Sequence, residues 1–84
     1  MHVRFHKKFL KRMAKLPIKT ENAFYAKLAI FLVNKFDKRL NNHELEGEYA
    51  GFRSINVTGD YRAIFADSGD NIMFFTIGTH SELY

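Results

Sequence analysis

Cysteine is absent from this sequence of 84 residues, which excludes disulfides, thiolate metal sites and thiol nucleophiles and fits a reducing compartment. Long apolar runs are missing as well. The longest, residues 28–33, is far below the roughly 20 residues that span a bilayer. Residues 1–4 lack the apolar segment of a signal peptide. We therefore expect a cytoplasmic protein with no membrane-spanning segment.

Low-complexity segments are also lacking, and 46% of the residues are hydrophobic and 26% charged. This apolar content is typical of folded globular proteins. A chain of this length can bury one core and is too short for two. We therefore expect a single domain that spans residues 1–84.

Acidic residues are scarce in the first half. Residues 1–41 carry eleven Lys and Arg against two acids, a balance of +9, whereas residues 42–84 carry two against seven, a balance of −5. A clustered basic surface is what a polyanion-binding protein needs, because each neutralised phosphate releases counterions. The alternative at this point is the solvated face of an ordinary helix.

Two helices are predicted after a short first strand. Residues 2–6 alternate apolar with polar side chains and predict the strand. Residues 7–16 predict an amphipathic helix with a basic outer face, which Pro17 ends. A second helix is expected from Thr20, a candidate N-cap, to about Lys38. Its middle is apolar nearly all round, so it should pack on two sides within the domain or, alternatively, against a protein partner.

Three strands are predicted after a segment without periodicity. Residues 41–51 contain two glycines and predict a loop. Residues 52–57, 61–66 and 72–77 predict strands joined by two tight turns, which link antiparallel neighbours. The order β-α-α-β-β-β predicts an α+β fold in which a helical hairpin packs on a small, mainly antiparallel sheet.

Both arginines of the second half, Arg53 and Arg62, lie in predicted strands. Alternation on neighbouring antiparallel strands allows both guanidinium groups to lie on one face of the sheet. There they would repel each other unless an anion lies between them, and guanidinium suits phosphate because it donates two parallel hydrogen bonds. The alternative is that each arginine pairs with a carboxylate such as Asp60 or Glu82.

His80 and Tyr84 follow the last predicted strand, and His43 lies in the predicted loop. Histidine transfers protons near neutral pH, and tyrosine can donate a proton or stack on a base. Each could instead be an ordinary surface residue. His43 and Glu44 begin like a zinc-protease motif, but no second histidine follows at the required spacing, so no metal site and no cofactor is expected.

Several segments together resemble one known family over essentially the whole chain. They are residues 43–47, 51–55, 59–62 and 77–84, the last ending in Gly-Thr-His-Ser-Glu-Leu-Tyr. With the β-α-α-β-β-β order, they are similar to the RelE/ParE toxin superfamily and, within it, to the YafQ-type messenger RNA interferases. The resemblance implies a RelE-like fold and a bacterial toxin of a type II toxin–antitoxin pair, whose partners are the antitoxin, the ribosomal A site and mRNA. It implies cleavage of mRNA without a metal ion or cofactor.

The reaction that the resemblance implies is attack of a ribose 2′-hydroxyl on the adjacent phosphate. An enzyme for it must remove the hydroxyl proton, stabilise the charged phosphorane and protonate the leaving 5′-oxygen. Carried over by position, the resemblance implies proton transfer by His80, phosphate contact by Arg62 and substrate orientation by Tyr84, with His43 and Asp60 as further positions of the catalytic site. It implies substrate or RNA contacts for Arg53, Tyr61, Lys7, Lys8, Lys11 and Arg12.

Two positions depart from the family pattern. Asn56 stands where some members have a histidine, and Ile77 stands where an arginine is found. Asparagine cannot exchange a proton and isoleucine cannot hold a phosphate, so the sequence predicts dependence on Arg53 and Arg62, or a weaker enzyme. Two alternatives stay open: a ParE-like toxin that inhibits DNA gyrase by protein contact, and a small RNA-binding protein without activity.

Overall fold

Short strands and helices alternate along residues 1–84, all of which the computed structural model describes. Two 3₁₀ turns, Lys38–Leu40 and Gly47–Tyr49, flank the second strand. No helix combines the length and the apolar character needed to traverse a bilayer. In chain order the elements are β1 (His2–Phe5), α1 (Lys7–Met13), α2 (Ile18–Val33), β2 (His43–Glu44), β3 (Arg53–Asn56), β4 (Tyr61–Asp67), β5 (Asn71–Thr79) and α3 (His80–Leu83).

The five strands form one sheet in the order β1-β5-β4-β3-β2. β1 pairs with β5 in parallel, and all other neighbours are antiparallel. The expected α+β fold with a mainly antiparallel sheet is confirmed. Two elements were not expected: β2 lies inside the predicted loop 41–51, and α3 follows β5 directly.

One face of the sheet, the covered face, packs against α1 and α2. Phe74 lies at the centre of this core, with its ring centroid 5.3 to 5.7 Å from those of five other phenylalanines. Edge-to-face and tilted contacts of this kind stabilise beyond the burial of area alone. The core consists of Phe9, Met13, Phe24, Phe31, Leu40, Ile55, Val57, Ala63, Phe65, Ile72, Phe74 and Ile77.

The helix limits differ from those expected. α2 begins at Ile18 instead of Thr20, because Pro17 already has the fixed φ that suits a helix entry and its carbonyl accepts from the backbone N–H of Thr20. Thr20 is therefore a buried residue within the helix. At the other end α2 stops at Val33, since Asn34 is extended. α1 stops at Met13 instead of Leu16.

The wide apolar surface of α2 is only partly buried. Phe24 and Phe31 are fully buried, whereas Tyr25, Leu32 and Val33 are exposed, Val33 by 89%. The expectation that α2 buries both sides within the domain is therefore wrong: α1 packs mainly along β5 and leaves the outer side of α2 uncovered.

A β-bulge in β5 determines which side chains reach the second face, the open face. Phe74 pairs with Phe65 and Thr76 pairs with Ile64, so Phe75 is an extra residue between two registers. A bulge of this kind shifts the alternation of every later residue. As a result Phe75 and Thr76 both lie on the open face, and Ile77 returns to the core.

Candidate active site

Two neighbouring rows of residues cross the open face. Directly opposite residues of antiparallel strands share a face. The first row is His43, Ser54, Ile64 and Thr76, and the second is Asn56, Arg62 and Gly78. The predicted catalytic residues His43 and Arg62 therefore lie on the same face.

α3 holds His80 and Tyr84 at the end of β5. The helix has only four residues, too few to be stable by itself, and a capping box fixes it: Thr79 Oγ1 accepts from the Glu82 N–H at 3.2 Å, and Glu82 Oε1 accepts from the Thr79 N–H at 2.8 Å. The backbone hydrogen bond from Thr79, its side-chain contact and Arg12 together lower the pKa of Glu82. The rings of His80 and Tyr84 lie 4.9 Å apart, and both residues are exposed.

Arg62 lies at the same end of the sheet. It pairs with Gly78, which is two residues before His80 in the chain. Its Nη1 donates to three carbonyls of the β3–β4 turn, those of Thr58, Gly59 and Tyr61, at 3.0 to 3.2 Å. Its Nε and Nη2 have no protein partner. The guanidinium is thus anchored on one side and keeps donors for an anion on the other.

Arg53 lies on the covered face, because it pairs with Phe65 while Arg62 pairs with Asn56. The expectation that the two guanidinium groups converge is therefore wrong. The β3–β4 register places the two arginines on opposite faces of the sheet. The alternative of pairing with a carboxylate holds for Arg53, with a partner other than Asp60 or Glu82: it donates to Glu44 Oε1 at 3.4 Å and to Asn42 Oδ1 at 2.7 Å. Arg62 donates only to carbonyls.

Asp60 and Tyr61 also fall on different sides. Asp60 is exposed, and its carbonyl accepts from the His80 N–H at 3.1 Å, so its main chain ties the β3–β4 turn to α3. Tyr61 is half-buried against the main core. The structure therefore brings the backbone of Asp60, but not the ring of Tyr61, to His80.

The four basic residues expected on α1 divide into two pairs. Lys8 and Arg12, one helical turn apart, turn toward β5: Lys8 Nζ lies 5.2 Å from the centroid of Phe75, and Arg12 Nη1 donates to the Ile77 carbonyl at 3.2 Å. Gly78 allows this approach, since a Cβ there would lie 2.7 Å from Arg12 Nη1. Lys7 and Lys11 are exposed. A cleft of about 330 Å³ opens beside Arg12, between α1 and α3.

A line of aromatic rings on the open face, which we name the ring row, was missed in the sequence. Its successive ring centroids lie 4.9, 5.9, 6.4, 5.3 and 5.0 Å apart. Its members, in spatial order, are His80, Tyr84, Tyr49, Phe52, Phe75 and His6. Strand alternation from Arg53 could have predicted that Phe52 lies on the open face. The positions of Phe75 and Tyr49 could not be predicted in this way, because Phe75 is in a bulge and Tyr49 is in a 3₁₀ turn.

Two of the three histidines outside α3, His6 and His43, have defined tautomers. His43 Nδ1 lies 2.7 Å from the Asn41 carbonyl, which can only accept, so Nδ1 carries the proton and Nε2 of the neutral ring is an acceptor. His6 is the reverse, because its Nδ1 accepts from the Lys8 N–H at 3.0 Å. His43 therefore presents a basic nitrogen on an exposed edge strand.

Three polar atoms of the open face are buried without a partner: Ser54 Oγ, Asn56 Oδ1 and Thr76 Oγ1. Ser54 and Thr76 are fully buried residues on either side of Ile64. Buried polar groups are normally paired, so the floor of this face is not satisfied by the chain itself. No group of three or more His, Asp and Glu side chains is arranged to hold a metal ion.

Comparison with known proteins identifies the family. A family model described as the bacterial toxin of the type II toxin–antitoxin system, YafQ, matches residues 1–84. The chain belongs to the YafQ toxin family. Among curated protein sequences, no relative matches the chain.

Solved structures of YafQ and related toxins share the fold. YafQ from Escherichia coli strain BL21(DE3) superposes with a TM-score of 0.76 at 21% identity, over 98% of this chain and 96% of that one. A YoeB/ParE toxin from Agrobacterium tumefaciens gives 0.78 at 14% identity, over 95% and 99%. The archaeal RelE–RelB complex from Pyrococcus horikoshii gives 0.74 at 21% identity, over 93% and 92%. The RelE-like fold is thereby confirmed.

The two positions that depart from the YafQ family pattern differ in their surroundings. Asn56 lies directly opposite Arg62 on the open face. Ile77 is fully buried in the main core, so a side chain at this position points away from Arg62.

Proposed function

We propose that this toxin is a metal-independent endoribonuclease that enters the ribosomal A site and cuts mRNA. The observation that carries the proposal is the grouping of Arg62, His80 and Tyr84 at one end of the open face. It supplies a cation, a proton-transfer group and an aromatic phenol, all solvent-accessible at least in part.

Cleavage by 2′-hydroxyl attack requires three events at one phosphate. The 2′-oxygen bonds to phosphorus as its proton leaves, charge builds on the non-bridging oxygens, and the bond to the 5′-oxygen breaks as that oxygen takes up a proton. This leaves a 2′,3′-cyclic phosphate and a 5′-hydroxyl. His80 transfers protons, and the Nε and Nη2 donors of Arg62 stabilise the phosphorane. His43, with its acceptor at Nε2, is a second proton-transfer group on the same face.

Tyr84 orients the substrate in this proposal. Its ring is 51% exposed and lies against His80, so a base stacked on it holds the adjacent linkage beside the imidazole. Asp60 contributes through its carbonyl, which fixes the start of α3. Arg53 and Tyr61 support the fold, since both face the helices.

The test is removal of the imidazole at position 80. We expect His80→Ala to keep its thermal unfolding midpoint and to lose mRNA cleavage by about 10²- to 10⁴-fold, measured by mapping cut sites on messages that are being translated. Arg62→Lys keeps the charge and loses the fork of donors, so it should also lose cleavage. Arg62→Ala needs its own unfolding curve, because Arg62 also binds the turn.

His2→Ala is the matched control, because His2 is an exposed histidine on the edge strand β1, outside this site. It should cut as fast as the wild type. Full cleavage by both His80→Ala and Arg62→Lys would show that the site is wrong. Growth arrest with intact messages and damaged DNA would instead favour inhibition of DNA gyrase by protein contact.

The remaining partners follow from the surface outside the site. Lys7 and Lys11 on α1 suit contacts with ribosomal RNA, in the bacterial cytoplasm where ribosomes work. The exposed apolar side of α2, with basic residues around it, suits an acidic antitoxin segment. Leu32→Asp should weaken antitoxin binding while leaving growth arrest in the absence of antitoxin unchanged.

A further inference from the structure

The ring row does not belong to the main core. None of its six members is part of the buried core cluster, and Phe75, Phe52 and Tyr49 are only half-buried. Phe74, the preceding residue on the covered face, is fully buried. A continuous line of partly exposed rings on a small protein indicates a binding surface.

The charges beside the ring row are positive. Lys8 holds its ammonium 5.2 Å from the centroid of Phe75, near the end of the row formed by His6. Arg62 has two donors without a partner at the end formed by His80. A ligand for this surface therefore combines flat apolar faces with negative charge, which describes single-stranded nucleic acid.

The sheet offers a suitable support for bases. Sheet-borne aromatic side chains that stack two or three bases are a common way of binding single-stranded RNA. The rings come from α3 and the residue after it, the 3₁₀ turn 47–49, the residue before β3, β5 and the N-cap of α1, so the line crosses strands instead of following one. It runs from His80 toward α1.

We propose that the ring row is the track for the RNA segment on one side of the cut, with bases stacked on Phe52 and Phe75 and a phosphate bound by Lys8. This rests on the ribonuclease function proposed above, which places the scissile linkage at His80. The track binds a part of the substrate beyond that linkage, namely two or three unpaired nucleotides toward the His6 end of the ring row.

The buried floor of the track supports a polar ligand. Ser54 Oγ and Thr76 Oγ1 have no partner and lie on the open face, with Ile64 between them. An unpaired buried hydroxyl costs free energy that a hydrogen bond restores. A base edge that hydrogen-bonds to these hydroxyls would be a source of sequence preference within the track.

The probe is a hexanucleotide with 2′-O-methyl groups throughout, which cannot be cut, and with 2-aminopurine in its middle. We expect the full chain to bind it at low salt and to change the 2-aminopurine fluorescence through stacking. Phe75→Leu and Phe52→Leu keep an apolar side chain without a ring and should weaken binding by about tenfold each. Tyr25→Leu, the same change at an exposed ring on α2, should leave binding unchanged.

Lys8→Met tests the phosphate contact separately. It should reduce the slope of log binding constant against log salt by about one, whereas Lys19→Met, an exposed lysine on α2, should not. Unchanged binding in both Phe75→Leu and Phe52→Leu, or no binding by the wild type, overturns the track. Binding of an acidic peptide in place of the oligonucleotide, with the same dependence on Phe75, also overturns it.

The two proposals fail in different ways. If His80→Ala still cuts mRNA while Phe75→Leu loses oligonucleotide binding, the catalytic assignment is wrong and the track stands. If His80→Ala abolishes cutting while Phe75→Leu and Phe52→Leu bind like the wild type, the track alone is wrong.

Discussion

Both faces of the sheet carry aromatic side chains, but those of the covered face form a closed core and those of the open face stay partly exposed. On the covered face, phenylalanines from β1, β4, α1 and α2 pack around Phe74 of β5 and exclude water. On the open face, the six rings of the ring row form a single line, with unpaired hydroxyls on the same face and cations beside it. The covered face is complete in itself, whereas the open face leaves polar and aromatic groups for a ligand.

The difference shows where stability and function lie in so small a chain. An 84-residue protein has one core, and nearly all of it is on the covered face. The open face can therefore keep groups that would be unfavourable in a core, such as Asn56 and Arg62. Substitutions on the covered face should lower the free energy of unfolding, and substitutions on the open face should reduce RNA binding and cleavage.

The strongest test of this difference between the faces is to remove each of two adjacent rings of β5 in a separate variant. Phe74→Ala deletes a ring in contact with five others and should lower the free energy of unfolding by about 3–5 kcal/mol. Phe75→Ala removes a half-buried ring and should lower it by about 1 kcal/mol. Urea denaturation of both variants under the same conditions measures the difference.

Phe74→Leu keeps this test useful if Phe74→Ala does not fold, since the whole domain is expected to have a stability of only about 5–15 kcal/mol. The leucine variant should still lose more stability than Phe75→Leu. Equal losses at the two positions would mean that the open face is part of the core.

The second contrast is local and concerns the cap that holds α3. Thr79→Ala removes one acceptor of the capping box and should cost about 1 kcal/mol, but it should reduce cleavage far more than it reduces stability, because α3 carries His80 and Tyr84. Thr79→Ser restores the hydroxyl and should restore cleavage. Loss of activity in both variants would mean that the methyl group of Thr79, and not the cap, positions the helix.

The sequence allowed prediction of what depends on local alternation and composition. β1, β3, β4, β5 and the helical hairpin follow from periodicity, and the basic first half follows from composition. The start of α3 was predictable as well: Thr79 and Glu82 have the spacing of a capping box, and that signal was not used.

Other features depend on pairing that no local pattern reveals. The bulge at Phe75 reverses the faces of the last residues of β5, and the β3–β4 register separates Arg53 from Arg62. β2 has two residues, too few for a period, and is defined only by its pairing with β3. The arrangement of the open face was therefore predicted in part: His43, His80, Arg62 and Tyr84 were expected there, but most of the ring row was not.

The smallest expected effect concerns an ion pair on the covered side, Lys35 with Asp67, whose Nζ and Oδ2 lie 2.8 Å apart. Burial alone would raise the pKa of Asp67, but hydrogen bonds from Lys35 and from the Gly69 N–H outweigh it, so the pKa lies below its ordinary value of 3.8. A carboxylate with a lowered folded-state pKa contributes stability above its unfolded-state pKa, and the contribution is lost as the pH falls through the folded value.

Asp67→Asn should therefore lower the free energy of unfolding by up to about 1 kcal/mol, equally at all pH values above about 5. Below pH 3.8 the difference from the wild type should shrink, first because the carboxylate of the unfolded wild type takes up a proton and finally because that of the folded wild type does. Urea midpoints measured across this range test the sign. Oligonucleotide binding should not change, since Asp67 faces the helices. A loss of RNA binding in Asp67→Asn without a loss of stability would contradict the division between the two faces.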